Sequence, residues 1–324
     1  MAQSAALKKR EQKSLEESRK FHVNPNRKEP DPGNSRTVEG RALYKKDNIS
    51  YWSRRSFSFS KNKQEELSCD QHAIWAGTLD GQIREQFGNR NRGEIRVLDM
   101  GTGPGFFAIL LAELGYRVTA ADYTAAMLVQ AKRNAGELAE SIYFLQMDAQ
   151  NLSFPDGSFD VIVSRNLTWN LSEPEQAYRE WCRVLVPGGL LLNFDANWYA
   201  YLYDNKAMTA HLEDRRNVSR SELGDDRAGT DVEAMESIAK RAPLSLQHRP
   251  EWDIHMLKTL GMTAAADREI WKTVWTEKER INNASTPMFL VSAVKETAAL
   301  CSQSRCTKGP NDTKRLCSNG SRSC

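Results

Sequence analysis

One stretch constrains the fold of this chain more than any other: VLDMGTGPGFF, where an apolar run ending in an acid passes through Gly101, Gly103 and Gly105 into an apolar helical pattern. Glycines at alternate positions let the backbone turn tightly and approach a ligand with no Cβ in the way, and a helix opening there presents free N–H groups. The alternation then repeats. Strands are expected at IRVLDM (95–100), YRVTAAD (116–122), IYFLQMD (142–148), FDVIVSRN (159–166) and LLLNFDA (190–196). Between them lie helices: GFFAILLAELG with Gly115 as its C-cap, a segment capped by Thr124 that carries Met127, Leu128 and Ala131, and EQAYREWCRVLV, opened by Pro174 and stopped by PGG. Strand–helix repetition implies parallel strands, right-handed crossovers and helices on both faces, a doubly wound α/β sheet with its ligand beyond the carboxyl ends of the strands. Two further strands, near Arg268 to Trp275 and at PMFLVSAVK (287–295), bring the expected sheet to seven.

Around this body the 324 residues divide by charge. Residues 1–56 carry 14 Lys and Arg against 7 Asp and Glu, and residues 295–324 carry 6 against 2; removing those +7 and +4 from the net +3 leaves 57–294 at −8. Nucleic-acid affinity rests mainly on Lys and Arg, so an acidic body argues against that partner and for a small molecule. Residues 1–48 read as a disordered basic leader, 49–296 as the folded domain, and 297–324, holding Cys301, Cys306, Cys317 and Cys324, as a disordered tail. A helix is expected from Glu65 to Gln86 with Leu67, Ile74, Trp75, Leu79 and Ile83 on one face. The charged segment 197–250 is either a substrate-covering lid or a surface loop. With no apolar span and no secretory signal, a soluble, cytoplasmic protein without membrane contact is expected; oligomeric state is not legible.

Acids mark successive strand ends. Asp99 precedes the glycine turn, Asp122 ends the second strand where a carboxylate can accept both hydroxyls of a ribose, and Asp148 ends the third, where it can receive an adenine amino group. Dinucleotide-binding turns use GxGxxG; here the spacing is GxGxG and the next two residues are the bulky Phe106 and Phe107.

Taken with VTAADYTAAML, QMDAQNLSFPDGSFDVIVSRN and EWCRVLVPGGLLL, which follow in order, the segment from 95 to 196 resembles a class I S-adenosylmethionine-dependent methyltransferase of the small-molecule, ubiquinone/methylase type. The resemblance implies a Rossmann-like, mostly parallel seven-stranded sheet whose last strand is antiparallel, with an insertion after strand five. It also implies S-adenosylmethionine as cofactor. Asp99, Gly101, Thr102, Gly103 and Gly105 would then hold its methionine portion, and Asp122 its ribose. Tyr123 and Met127 would flank the adenine, Asp148 and Ala149 recognise its edge, and Asn166 line the path of the methyl group. ISYWSRRSFSFS resembles the segment such enzymes place before the first helix, with Tyr51 and Arg55 closing over the amino-acid end of the cofactor.

Methyl transfer from a sulfonium is an in-line displacement that rewards alignment, and a general base is optional. For the acceptor pocket the sequence offers Asn166, Trp169 and Asn170, then Asp195, Asn197, Trp198 and Tyr199; Asn166, Trp169 and Asp195 are the catalytic candidates. His211, His248 and His255 are possible bases. A DNA adenine methylase would show Asn or Asp followed by two prolines and an aromatic where this chain has Asn166, Leu167 and Thr168; an arsenite methylase would need more cysteines than Cys69 and Cys182 in the body. No metal site is expected. The resulting expectation is methyl transfer to a small polar metabolite at nitrogen or oxygen. A non-catalytic S-adenosylmethionine-binding module and an NAD-type oxidoreductase are the alternatives.

Overall fold

The structure is a computed structural model that describes residues 37–297. Most of the expected leader and tail therefore lie outside the described residues. The first helix, α1 (Val38–Leu67), is capped by Thr37, whose hydroxyl accepts the Gly40 N–H at 3.0 Å. It begins upstream of the expected onset of order near Ile49. Tyr44 and Tyr51, two turns apart on one face, are buried against Met235, Ile238 and Ala242, partners too remote in sequence to be visible in the leader's composition. The helix expected over Glu65–Gln86 is likewise two helices. α1 stops at Leu67, and α2 (Gln71–Phe87) buries Trp75, Leu79 and Ile83.

The alternation then follows as β1 (Arg96–Met100), α3 (Phe106–Glu113), β2 (Arg117–Asp122), α4 (Ala125–Ala135), β3 (Ile142–Gln146), β4 (Phe159–Arg165), α5 (Pro174–Val184) and β5 (Leu185–Asp195). β5 starts earlier than expected. Leu185 pairs with Phe159 but Leu190 with Val161, so the Pro187–Gly189 turn is a bulge within the strand rather than a gap before it. Thr124 stands at the N-cap of α4, yet its side chain does not cap; its N–H goes to Asp122 instead. After β5 come α6 (Asn205–Arg220), α7 (Val232–Ala239), α8 (Glu251–Thr259), β6 (Met262–Asp267), α9 (Trp271–Val274), α10 (Glu277–Asn282) and β7 (Phe289–Lys295). The 197–250 insertion is thus largely helical.

β6 corrects the expected position of the sixth strand. The run Arg268–Trp275 instead holds the short helix α9, because Ile270 and Val274, one turn apart, both drop into the core around Trp75. The strand itself is the alanine-rich MTAAAD, which alternates Met262 and Ala264 inward.

The sheet order is β3-β2-β1-β4-β5-β7-β6, parallel from β3 through β5, with β7 antiparallel to both neighbours. This is the expected Rossmann-like, mixed seven-stranded sheet. Both faces are covered, so adjacent residues of one strand enter different cores: Val97 joins Trp75, Phe107 and Phe194, whereas Leu98 joins Trp181, Tyr178 and Phe159. Strand order reverses between β1 and β4. A crevice must open beyond their carboxyl ends, and that is where the large cavity lies.

Candidate functional site

Gly101, Gly103 and Gly105 all take left-handed backbone angles, φ +72°, +53° and +91°, which explains the residue type but not one common role. Gly101 and Gly103 line a cavity of about 540 Å³. Gly105 faces away from it; a Cβ there would stand 3.0 Å from the Ala131 side chain and 3.2 Å from its Cα, so it lets α3 and α4 meet. Asp99 and Thr102 also lie beneath the turn rather than on the cavity wall. The Thr102 hydroxyl donates to Asp99 at 2.5 Å, and burial, only partly offset by hydrogen bonds from Thr102 and the Ala108 backbone, pushes Asp99 up to about 7. Three of the five residues expected to hold the methionine portion therefore brace the turn from below.

At the β2 tip, Asp122 lines the cavity and accepts the Gly103 N–H at 2.9 Å and the Thr124 N–H at 2.8 Å; burial raises its pKa. Tyr123 and Met127 lie beside it, and Asp148 and Ala149 follow from β3, all on the same wall. Asp148 is engaged from two sides. Gln150 donates to one oxygen through its backbone and its side chain, each at 2.9 Å, and Lys45 of α1 reaches the other at 2.8 Å. Burial works to raise this acid, but the Lys45 and Gln150 hydrogen bonds outweigh it and hold the group below the usual carboxylate range.

Beyond β4 the backbone of Asn166 turns into the left-handed region, φ +57°, and its side-chain oxygen is buried with no hydrogen-bond partner. Its carbonyl accepts the Trp169 indole N–H at 3.0 Å. Trp169 packs at 4.9 Å, tilted, on Tyr199; Tyr199 lies 5.9 Å from Tyr201; and Tyr201 stacks at 3.9 Å on His211. Together these rings form a continuous aromatic wall. Burial, then Arg227 and Arg215, push His211 down to about 4, and its Nε2 lies 3.3 Å from an Arg227 nitrogen. His211 is on the wall, whereas His248 and His255 are not.

Asp195, expected as a catalytic candidate, is fully buried and does not line the cavity. One oxygen takes the Thr168 hydroxyl (2.6 Å), the Trp169 N–H (2.9 Å) and Arg249 (2.8 Å); the other takes the Ala196 N–H (2.9 Å) and the Trp198 indole (3.1 Å). Arg249, equally buried, also forks onto Asp253. The acid is spent on positioning Trp169 and Trp198. Asn170 and Asn197 are similarly occupied, the first by Tyr44 and Asn48 and the second by the Arg249 carbonyl.

The fourth side of the cavity was largely missed in the sequence. Besides Tyr51 and Arg55, α1 contributes Trp52, Phe59 and Lys63, and the Phe59 ring covers Gly103, 3.8 Å from where a Cβ would be. Arg165, from the tip of β4, lies 4.4 Å over the Trp75 ring and pairs with Glu66 at 2.7 Å and Glu279 at 3.6 Å. The only sequence signal was the aromatic and basic spacing of ISYWSRRSFSFS. No cluster of metal-ligating side chains occurs among the described residues, and none of their helices is long and apolar enough to cross a membrane.

Residues 98–193 match a family described as a methyltransferase domain. Demethylmenaquinone methyltransferase of Thermus thermophilus is 40% identical over 99 residues, 30% of this chain and 45% of that protein. Malonyl-[acyl-carrier protein] O-methyltransferase of Buchnera aphidicola is 36% identical over 116 residues, 35% of this chain and 44% of its own. The chain thus spans under half the length of these curated relatives. Among solved structures, the YcgJ protein of Bacillus subtilis is 20% identical and superposes with a TM-score of 0.42 over 67% of this chain and 98% of that one.

Proposed function

We propose that this chain, whose residues 98–193 match a methyltransferase domain, is of the class I, S-adenosylmethionine-dependent type and transfers a methyl group to a nitrogen or oxygen of a small polar metabolite. The observation carrying the reading is one cavity at the sheet's switch point that gathers the Gly101–Gly103 turn, the Asp122 and Asp148 carboxylates, and the unpartnered oxygen of Asn166. Those residues fit S-adenosylmethionine. Asp122 would accept its ribose hydroxyls, Tyr123 and Met127 would hold its base between them, Asp148 and Ala149 would meet its edge, and Tyr51 would close over its amino-acid end. When bound, it supplies an activated methyl on a positively charged sulfur.

The chain's own contribution is alignment. The acceptor's lone pair would take that methyl with a neutral thioether as the leaving group, and the acceptor's own proton would pass to solvent, so the residues here need only hold the acceptor in line. Asn166, its side-chain oxygen buried and unsatisfied, would accept the N–H or O–H of the incoming nucleophile and fix its direction. Trp169, held by the Asn166 carbonyl and by Asp195, would wall the opposite side and keep water out. Intramolecular models value such positioning at roughly 7 to 11 kcal/mol. An aqueous base is not required for an amine already deprotonated.

Titration with S-adenosylmethionine tests the cofactor assignment directly. Asp122→Ala should weaken binding by about 1.5 to 3 kcal/mol, the worth of a charged hydrogen-bond partner; unchanged affinity would mean that another acid holds the ribose. Tight binding of NADH without S-adenosylmethionine binding would overturn the reading. Binding without turnover of labelled methyl donor against metabolite pools would leave a non-catalytic module.

A further inference from the structure

The proposed reaction leaves the end of the cavity farthest along the aromatic wall without a task, and its chemistry differs from that of the cofactor end. Arg215, on α6, and Arg227, in the loop that follows, both line it. They share Asp225, at 3.0 and 3.8 Å, and Arg215 also lies 4.0 Å from Asp226. Arg55, which also lines the cavity, has no carboxylate within 4 Å among the described residues; its guanidinium lies 6.0 Å from the centroid of the Phe59 ring. Only Asp225 and Asp226 pair with these three guanidinium groups within 4 Å; Asp214 also acts on Arg215, and Glu236 takes the Tyr201 hydroxyl on the same wall. Each of the three, moreover, keeps a buried Nε–H that nothing accepts, a costly state for a charged donor unless an anion completes it. His211 adds no charge at neutral pH and, stacked face to face on Tyr201, extends the row of rings to Arg227.

We propose that Arg215 and Arg227, with Arg55, bind a carboxylate on the methyl acceptor, so that the substrate is a carboxylic acid held by its carboxylate at this end of the cavity and by its nucleophilic atom at Asn166. The guanidinium fork matches a carboxylate in two parallel hydrogen bonds, which an ammonium or a neutral amide cannot form. The inference rests on the methyltransferase reading, and it deepens that reading by naming the acceptor's class.

The test uses the full chain saturated with S-adenosylhomocysteine and titrated with para-aminobenzoate and para-hydroxybenzoate, each beside its carboxamide. The acids should bind about tenfold or more tightly than the amides. Arg227→Gln should abolish that preference while leaving S-adenosylhomocysteine affinity unchanged, the latter also serving as the check that the variant folds; Arg227→Lys, which keeps the charge but not the fork, should restore only part of it. Equal or absent binding of acids and amides by protein that still takes S-adenosylhomocysteine overturns the carboxylate site and leaves the methyltransferase reading standing. A loss of preference with Arg55→Gln accompanied by unchanged S-adenosylhomocysteine affinity supports the assignment of Arg55 to the acceptor. If that variant loses only S-adenosylhomocysteine affinity, Arg55 belongs to the cofactor and its place in the site is overturned. Failure of the parent chain to bind S-adenosylhomocysteine defeats the methyltransferase reading itself.

Discussion

At one end of the cavity the wall comes mainly from a single stretch of chain, Gly101 to Ala149, and depends on backbone: two glycines with left-handed angles and two strand-tip carboxylates held by neighbouring N–H groups. At the other end it is assembled from side chains of α1, of the β4 and β5 tips, and of the 197–250 insertion, which are far apart in sequence. The first end is specified by local turn chemistry. The second exists only if distant segments are fastened together. What fastens them is a buried polar knot in which Arg249, from the end of the insertion, joins Asp195 at the β5 tip, Thr168 after β4 and Asp253 on α8. The contrast suggests that the nucleoside-facing end can persist while the other is rebuilt, because the two draw on different contacts.

The most severe way to break that contrast is to cut the knot. Arg249→Met leaves the carboxylates of Asp195 and Asp253 buried without their counter-charge, and the loss of one partner from such a set costs about 3 to 5 kcal/mol. Urea denaturation should show it. Adding Asp195→Asn and Asp253→Asn to the same chain should recover much of the loss, because the uncompensated charges go with them. A cost below about 1 kcal/mol for Arg249→Met would show that the knot does not hold the second end.

A milder pair of substitutions probes the backbone-built end. Gly105→Ala puts a Cβ against the Ala131 backbone in a left-handed conformation that costs an L residue roughly 1 to 2 kcal/mol before the contact is counted. Its expected effect is on thermal stability. Gly103→Ala meets only the Phe59 ring edge at 3.8 Å, so it should be the less destabilising of the two yet weaken S-adenosylmethionine binding more, since its Cβ enters the cavity. Reversed rankings would mean that the glycines have been assigned to the wrong sides of the turn.

The same division explains what was legible in the sequence. The glycine turn, Asp122, Asp148 and the alternation of strands and helices through β5 are local patterns, each settled within about ten residues. Asp195, a catalytic candidate on its sequence position, is revealed as a buried positioning group only by its five hydrogen-bond partners, three of them, Thr168, Trp169 and Arg249, from beyond its immediate neighbours. The start of α1 was hidden for a related reason: Tyr44 and Tyr51 are core residues because α7 covers them. β6 escaped because its alanines carry little strand propensity and gain their place by pairing with β7, while the β-prone Ile270 and Val274 are used at helical spacing. Arg55, Arg215 and Arg227 could not be grouped at all without the fold.

The smallest expected effect lies where the two ends touch, at Lys45. This side chain of α1 occupies an Asp148 oxygen that, in the proposed cofactor pose, faces the adenine edge. The pair is partly exposed, with side chains 29% and 19% accessible, so its contribution to stability should be no more than about 1 kcal/mol. Lys45→Met removes the competitor and leaves the carboxylate to the amino group of the base. Calorimetric titration should then show S-adenosylmethionine binding a few-fold more tightly, with the gain shrinking in high salt, because added ions already weaken the Lys45–Asp148 pair in the parent chain. Weaker binding would place Lys45 in contact with the nucleoside and make α1 part of the cofactor end as well as its cover.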